Sequence, residues 1–379
     1  MRQLSERRKV RGPLVRMLIL MAVMALVAAA CGDDSGSTTT TATGETTTSQ
    51  APTELREVDM ALSTTSSFGY GYWVAVGLGF YEDEGLDVNL QGTGGSSDVA
   101  QILAANNAVA GMGVPGAMLP AIEAGALLYP FFTYAYGEVF DVVVPEASDI
   151  ASIAELDGLV IGISELAGGE VPLVRALLVE AGLDPDSDVQ IIEVGTDAPS
   201  VAAAFDAGRI DAYSSAKSDI AQMNANGLGT KSIAPDSLST LPAEGLLATE
   251  ETKDDTDLLI GLGRGTAKGQ LVAYTNPDAA VCVLKELIPE EFTDDEAGRA
   301  GLAAVIEITT APKDDSGNYV FGFLDSAGWN TYVNIFIQGG VISEQIDMSD
   351  FVLDQYLDGI NDFDQQEIVD LANGLNTDC

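Results

Sequence analysis

The sequence predicts an α/β protein in two lobes, with two crossings between the lobes and a C-terminal helical region. Three observations support this. Val58 to Ala117 opens with strand-like alternation, Val58, Met60 and Leu62 on one face, then a loop of Ser, Thr, Gly and aromatic residues, then a helical pattern from near Tyr72. A second strand-and-helix set recurs between Leu159 and Tyr213. From Lys253 onward the apolar spacing is almost entirely helical.

The first set continues with Gly79-Phe-Tyr-Glu-Asp-Glu-Gly-Leu-Asp-Val88, which ends the first helix and launches a second strand. Gly92 to Asp98 forms a second glycine-rich turn, and the strand Ala110 to Val114 runs into Pro115-Gly116-Ala117. In an open α/β sheet such strand-to-helix junctions are where ligands are held, because free N–H groups and the helix dipole point there. Gly94, Gly95, Ser96, Ser97 and Gly116 can serve a ligand, cap the helices, or do both. Leu127 to Val144 is apolar and aromatic and carries Glu138 before Asp141; the first crossing is placed at Thr133 to Val144. Strands at Leu159 to Ile163, Val189 to Val194 and Ile210 to Tyr213 then alternate with helices at Glu170 to Gly182 and Ala198 to Gly208. Leu246 to Ala248 reads as a short strand, with the second crossing at Ala243 to Glu250. The expected partition is 55–142 and 246–379 for one lobe and 143–245 for the other.

At 379 residues with 46% hydrophobic content the chain can bury a full core. It has no histidine, which removes the commonest general base, the Ser-His and Cys-His pairs and the usual zinc ligand. The net charge is −41; without Met1 to Ala30, which holds six Lys/Arg and one Glu, 11 basic residues face 57 acidic ones, or −46. Such a polyanion is repelled by phosphate backbones, which argues against nucleic acid as a partner.

The N-terminus has the three parts of an export signal. Arg2, Arg7, Arg8, Lys9, Arg11 and Arg16 are its positive region, Met17 to Ala30 its apolar region and Ala28-Ala29-Ala30 its cleavage site. Cys31, directly after three alanines, resembles the lipidated cysteine of the bacterial lipobox, although Ala28 stands where that motif prefers Leu. The resemblance implies a mature protein anchored by lipid to the outer face of the bacterial cell membrane. Residues 31–54 are Ser/Thr-rich, with runs at Thr38 to Thr41 and Thr46 to Thr48, and are expected to be a solvated tether.

Several segments, in order, resemble one family. Gly77 to Val88 is similar to the G-F-F-x-x-E-G-L-D-V signature of ABC-transporter substrate-binding proteins of the nitrate, sulfonate, taurine and thiamine-pyrimidine-precursor group. Ile153 to Ile163, Leu178 to Pro185, Ala203 to Ala212, Tyr274 to Ala280 and Trp329 to Ile342 resemble that group's later segments. The resemblance implies a periplasmic-binding-protein type II clamshell, a monomer that captures a small molecule and delivers it to a membrane permease and its ATPase. In sulfonate and nitrate binders the second lobe often offers Ser, Thr and basic groups, whereas Ser164 to Glu170 offers two carboxylates. That disfavours an anion and suits an amine-bearing or cationic ligand, such as a nitrogen-bearing heteroaromatic. An alkanesulfonate, taurine or nitrate-like anion is the alternative.

The candidate ligand residues are Tyr70, Tyr72, Trp73, Ser96, Ser97, Gly116, Glu138, Gly169, Glu170 and Ser215. Tyr70, Tyr72 and Trp73 either stack on a flat ring or pack as core, and Phe68 has a weaker claim. Glu138 and Glu170 either meet a ligand amine or are held by protein groups. Ser214, Ser215 and Lys217 follow a second-lobe strand and are candidates for the opposite wall. Gly261 to Gly269 has the glycine density of a nucleotide loop but lacks the preceding strand, and no cysteine spacing suits a metal, so no cofactor or metal is expected. With Cys31 lipidated, Cys282 and Cys379 remain, either as a disulfide or as two free thiols. A passive receptor fits this set best; an enzyme on the same fold and a sensory lipoprotein without a transporter are the other readings.

Overall fold

The computed structural model describes residues 54–379. The expected export signal, Cys31 and most of the tether lie outside the described residues. The chain runs through β1 (Arg56–Leu62), α1 (Tyr70–Gly77), α2 (Phe80–Asp83), β2 (Leu86–Gly92), α3 (Ser96–Ala104), β3 (Ala110–Gly113), α4 (Pro115–Glu123) and β4 (Leu128–Ala135). It continues with β5 (Phe140–Pro145), β6 (Val160–Ile163), α5 (Glu170–Glu180), β7 (Gln190–Glu193), α6 (Ala198–Asp206), β8 (Ala212–Ala216), α7 (Lys217–Ala225) and β9 (Thr230–Ser232). After β10 (Glu244–Thr249) come α8 (Thr256–Thr275), α9 (Pro277–Leu287), α10 (Asp295–Thr309), α11 (Ser326–Gln338), α12 (Leu357–Ile360) and α13 (Gln365–Gly374).

Two five-stranded sheets share one plan, β2-β1-β3-β10-β4 and β7-β6-β8-β5-β9. In the first, β1 is parallel to β2 and β3, while β10 runs antiparallel between β3 and β4. In the second, β6 is parallel to β7 and β8, while β5 runs antiparallel between β8 and β9. The antiparallel member of each sheet is thus the strand that arrives from the other sheet. The first crossing is the short link 136–139. The return is made by 233–243, ahead of the stretch expected from sequence, because 244–249 is already a ladder-paired strand.

The alternation of β1 buries Val58, Met60 and Leu62, with Ala61 covered as well. β4 shows no alternation because all eight of its residues, Leu-Tyr-Pro-Phe-Phe-Thr-Tyr-Ala, are buried, as in a strand covered on both faces. The Gly261 to Gly269 run lies inside α8, where it serves packing: a Cβ on Gly269 would lie 2.1 Å from the Gly71 carbonyl, so Gly269 lets α8 and α1 approach backbone to backbone, while Gly263 and Gly265 make room for Ile360 and Tyr81. Part of the acidic surplus caps helices, since Asp197, Asp255, Asp294, Asp325 and Asp364 each accept a first-turn N–H. Cys282 on α9 and Cys379 form a disulfide that ties the C-terminus to the helical region. Among the described residues, no helix is long and apolar enough to cross a membrane.

Candidate functional site

The parallel strands of both sheets end at one cavity of about 310 Å³. From the first sheet, the loop after β1 brings Ser63 to Ser66 and Phe68, the loop after β2 brings Thr93, and Ser96 starts α3. From the second, the loop after β6 brings Ser164 and Glu165, and Gly169 and Glu170 lie at the start of α5. Thr196 follows β7, Asp219 lies in the first turn of α7, and Glu291, in the turn between α9 and α10, closes one side. These are the positions where strand ends and helix starts put hydroxyl and N–H groups at a ligand's disposal.

Every charged side chain on the lining is a carboxylate: Glu165, Glu170, Asp219 and Glu291. Burial raises Glu170 above the usual carboxylate range, opposed by the Ser164 hydroxyl that donates to its Oε1. Burial first, and then the carboxylates of Glu170, Asp219, Asp98 and Glu193, push Glu165 up to about 7. Asp219 is pushed up to about 6 by burial, against the Ser215 hydroxyl donating to it at 2.7 Å, with Glu291 and Glu170 adding to the rise. Glu291 Oε2 accepts the Ser67 N–H at 3.0 Å and the Gln222 amide at 3.4 Å, from opposite sides of the cleft. No hydrogen bond or ion pair reaches the Glu165 carboxylate among the described residues. Nor do these acids form a group that could hold a metal ion among the described residues.

Of the candidates read from sequence, Ser96, Gly169 and Glu170 line this cavity. Ser97, Gly116 and Ser215 stand just behind it. The Ser97 N–H donates to the Ala167 carbonyl at 3.2 Å, Gly116 packs on the Gly169 carbonyl, and Ser215 holds Asp219. Tyr70 and Tyr72 do not face it: both are fully buried in the first lobe, bonded to Thr309 and Glu244. Tyr72 stacks on Tyr134 with ring centroids 4.6 Å apart, an arrangement worth about 0.5–1.5 kcal/mol beyond its buried area. Trp73 is half-buried against Gly69, away from the cavity. Glu138 is also turned away, accepting the Tyr332 hydroxyl and the Phe140 N–H, the latter at 3.0 Å, in the first crossing. Lys217, at the start of α7, exerts its charge on Glu138 and Asp141 and is not on the lining.

Sequence reading passed over Phe140, Asp219 and Glu291. The first two sit at a strand start and a strand-to-helix junction, so the junction rule applied to Ser214 and Ser215 could have been carried one turn further to Asp219. Glu291 carries no local signal, since its place on the cavity is set by how the turn between α9 and α10 packs.

Two mixed sheets of matching order, joined by two crossings, with a cavity at their strand ends, define the periplasmic-binding-protein fold. Solved structures share it. A protein of Bordetella bronchiseptica RB50 superposes with a TM-score of 0.64 at 20% identity, covering 81% of this chain and 98% of its own. The periplasmic aliphatic sulphonate binding protein SsuA of Escherichia coli gives 0.59 at 14%, covering 79% and 92%. The periplasmic nitrate-binding protein NrtA of Synechocystis PCC 6803 gives 0.57 at 10%, covering 85% and 99%. The chain belongs to the NMT1/THI5-like family, whose model matches residues 69–280. No curated protein sequence matches it.

Proposed function

We propose that the protein is the extracytoplasmic substrate-binding component of an ABC importer, holding a small cationic, nitrogen-bearing heteroaromatic molecule of the thiamine-pyrimidine-precursor kind between its lobes. In this reading Met1 to Ala30 is removed on export, Cys31 carries the lipid anchor, and 31–54 is the tether. Lobe I takes the chain up to the first crossing and again from Glu244 onward, and lobe II the part from Phe140 to the return crossing. The closed monomer then docks on a permease and its ATPase without altering the ligand.

The observation that carries the ligand class is the all-carboxylate lining with an unpartnered Glu165 at its centre of negative charge. A cation placed there recovers the Coulomb energy that burial and mutual repulsion otherwise cost, and an anion would add to the cost. Phe68 and Phe140 offer the apolar contact that the tyrosines of α1 do not. Sulphonate and nitrate are what the Escherichia coli and Synechocystis proteins are named for, and they define the competing reading. Calorimetry and thermal shift with three probes of similar shape separate the two. Benzamidinium is expected to bind and raise the melting temperature, benzamide to bind more weakly and benzenesulfonate most weakly of the three. Preference for benzenesulfonate would sink the cation reading, and recovery of a chemically altered aminopyrimidine after incubation would sink the receptor reading.

A further inference from the structure

We propose that the loop Ser164–Gly169 is a charge-selecting latch: in the closed protein it covers the helix starts of the first lobe with its own oxygens and so excludes anions from the corner best built to receive them. This rests on the cationic-ligand reading of the cavity.

Two helices of the first lobe, α3 and α4, start at the cleft, and both starts are met by this one loop of the second lobe. At α3 the Ser97 N–H, a first-turn donor with no partner inside its helix, is taken by the Ala167 carbonyl at 3.2 Å. Next to it Gly95 has φ 133°, and a Cβ there would lie 2.7 Å from Glu165 Oε1 and 2.9 Å from the Ala167 carbonyl oxygen. At α4 a Cβ on Gly116 would lie 2.2 Å from the Gly169 carbonyl oxygen. Helix starts are natural anion sites because their N–H groups and dipole favour negative charge. Here the Ala167 carbonyl takes one such N–H, at Ser97, while the Glu165 carboxylate and the Gly169 carbonyl lie against Gly95 and Gly116 beside the helix starts. Glycine at 95 and 116 is what admits them, since any side chain would stand in the loop's path. The loop therefore sets the sign of charge the closed cleft accepts: it takes the Ser97 donor, crowds both helix starts with protein oxygens and leaves the Glu165 carboxylate on the lining with no ion pair among the described residues.

The test compares Glu165→Gln and Gly116→Ala with the parent chain, using benzamidinium, benzamide and benzenesulfonate. Glu165→Gln keeps the shape and removes the charge; it should weaken benzamidinium roughly tenfold and benzamide by much less. Gly116→Ala pushes the loop off the helix starts and should raise benzenesulfonate affinity relative to benzamidinium by a similar factor. Thermal melts establish that each variant is folded, and Glu165→Gln alone decides the matter if Gly116→Ala is not. A benzamidinium-to-benzenesulfonate ratio in Glu165→Gln equal to the parent's would overturn the latch. The parent's own preference among the probes decides the cationic-ligand reading, and the change between parent and variants decides the latch, so the two fail separately.

Discussion

Tyr72 donates its hydroxyl to Glu244 Oε1 over 3.1 Å in the interior of the first lobe, and the other oxygen of Glu244 has no hydrogen-bond partner among the described residues. Burial holds the Glu244 carboxyl well above the usual carboxylate range. A group whose folded-state pKa is raised binds its proton more tightly when folded, so its stabilising effect is complete below the unfolded pKa and is lost as pH rises toward the folded value. Stability is therefore expected to fall as pH climbs from about 4.5. Glu244→Gln keeps an acceptor for Tyr72 and removes the titration; it should stabilise the protein by about 1–3 kcal/mol near neutral pH and flatten the pH profile. Urea denaturation at a series of pH values reads this directly, and parallel profiles for parent and variant would count against it.

Ligand binding should itself depend on pH, with a sign fixed by the cavity. Glu165, pushed up to about 7 by burial and its acidic neighbours, and Asp219, pushed up to about 6 by burial, are partly protonated in mildly acidic solution. A cation favours their ionised forms and expels those protons, so benzamidinium affinity should rise between about pH 5.5 and 8, by at most about tenfold per unit for each proton released. Calorimetry near pH 6.5 in two buffers of different ionisation enthalpy should report proton release; proton uptake would contradict the charge assignment.

Removal of the Glu291 carboxylate should loosen the cavity from both sides. It holds the Ser67 N–H of the first-lobe loop and the Gln222 amide of α7. Glu291→Ala leaves both donors without that acceptor and is expected to cost about 1–2 kcal/mol of stability and to weaken benzamidinium binding, whereas Glu291→Gln should restore much of the stability but not the affinity. Melting curves and titrations on the two variants separate positioning from charge.

The disulfide between Cys282 and Cys379 closes a segment of 97 residues in sequence separation. Cys379→Ser should lower stability by about 2–4 kcal/mol, mainly by freeing the unfolded chain. The same loss should appear in the parent under reducing conditions, and reductant should have no further effect on the variant.

Much of the fold was legible because its signals are local: β1 alternates, the glycine turns at Gly79 and Gly92 to Asp98 punctuate it, and Glu170 follows a strand-to-helix junction. The aromatic cluster misled for a physical reason. On α1, Tyr70, Tyr72, Val74 and Ala75 are all buried, because α8 and α9 pack over this helix from nearly 200 residues further along the chain. The stripe that stays partly exposed, Trp73, Val76 and Gly77, is not on the cavity lining, so the helix period points to no ligand-facing residue. Glu138 misled likewise, since its partner Tyr332 comes from α11. The two carboxylates of Ser164 to Glu170, by contrast, lie on the cavity lining, since their positions follow from the local strand-to-helix junction.

The sheet order β2-β1-β3-β10-β4 places β4 beside a strand that follows it by more than a hundred residues. As the chain is synthesised, β3 and β4 are present long before β10, and each keeps an unpaired edge until β10 slides between them. In the second sheet β5 is made before β8 and β9, the strands it pairs with. The second sheet, made wholly of β5 to β9, can finish on its own, but the first cannot. A first sheet threaded in this way stays incomplete until the whole of β10 has been made, so its closure waits on a pairing between segments more than a hundred residues apart.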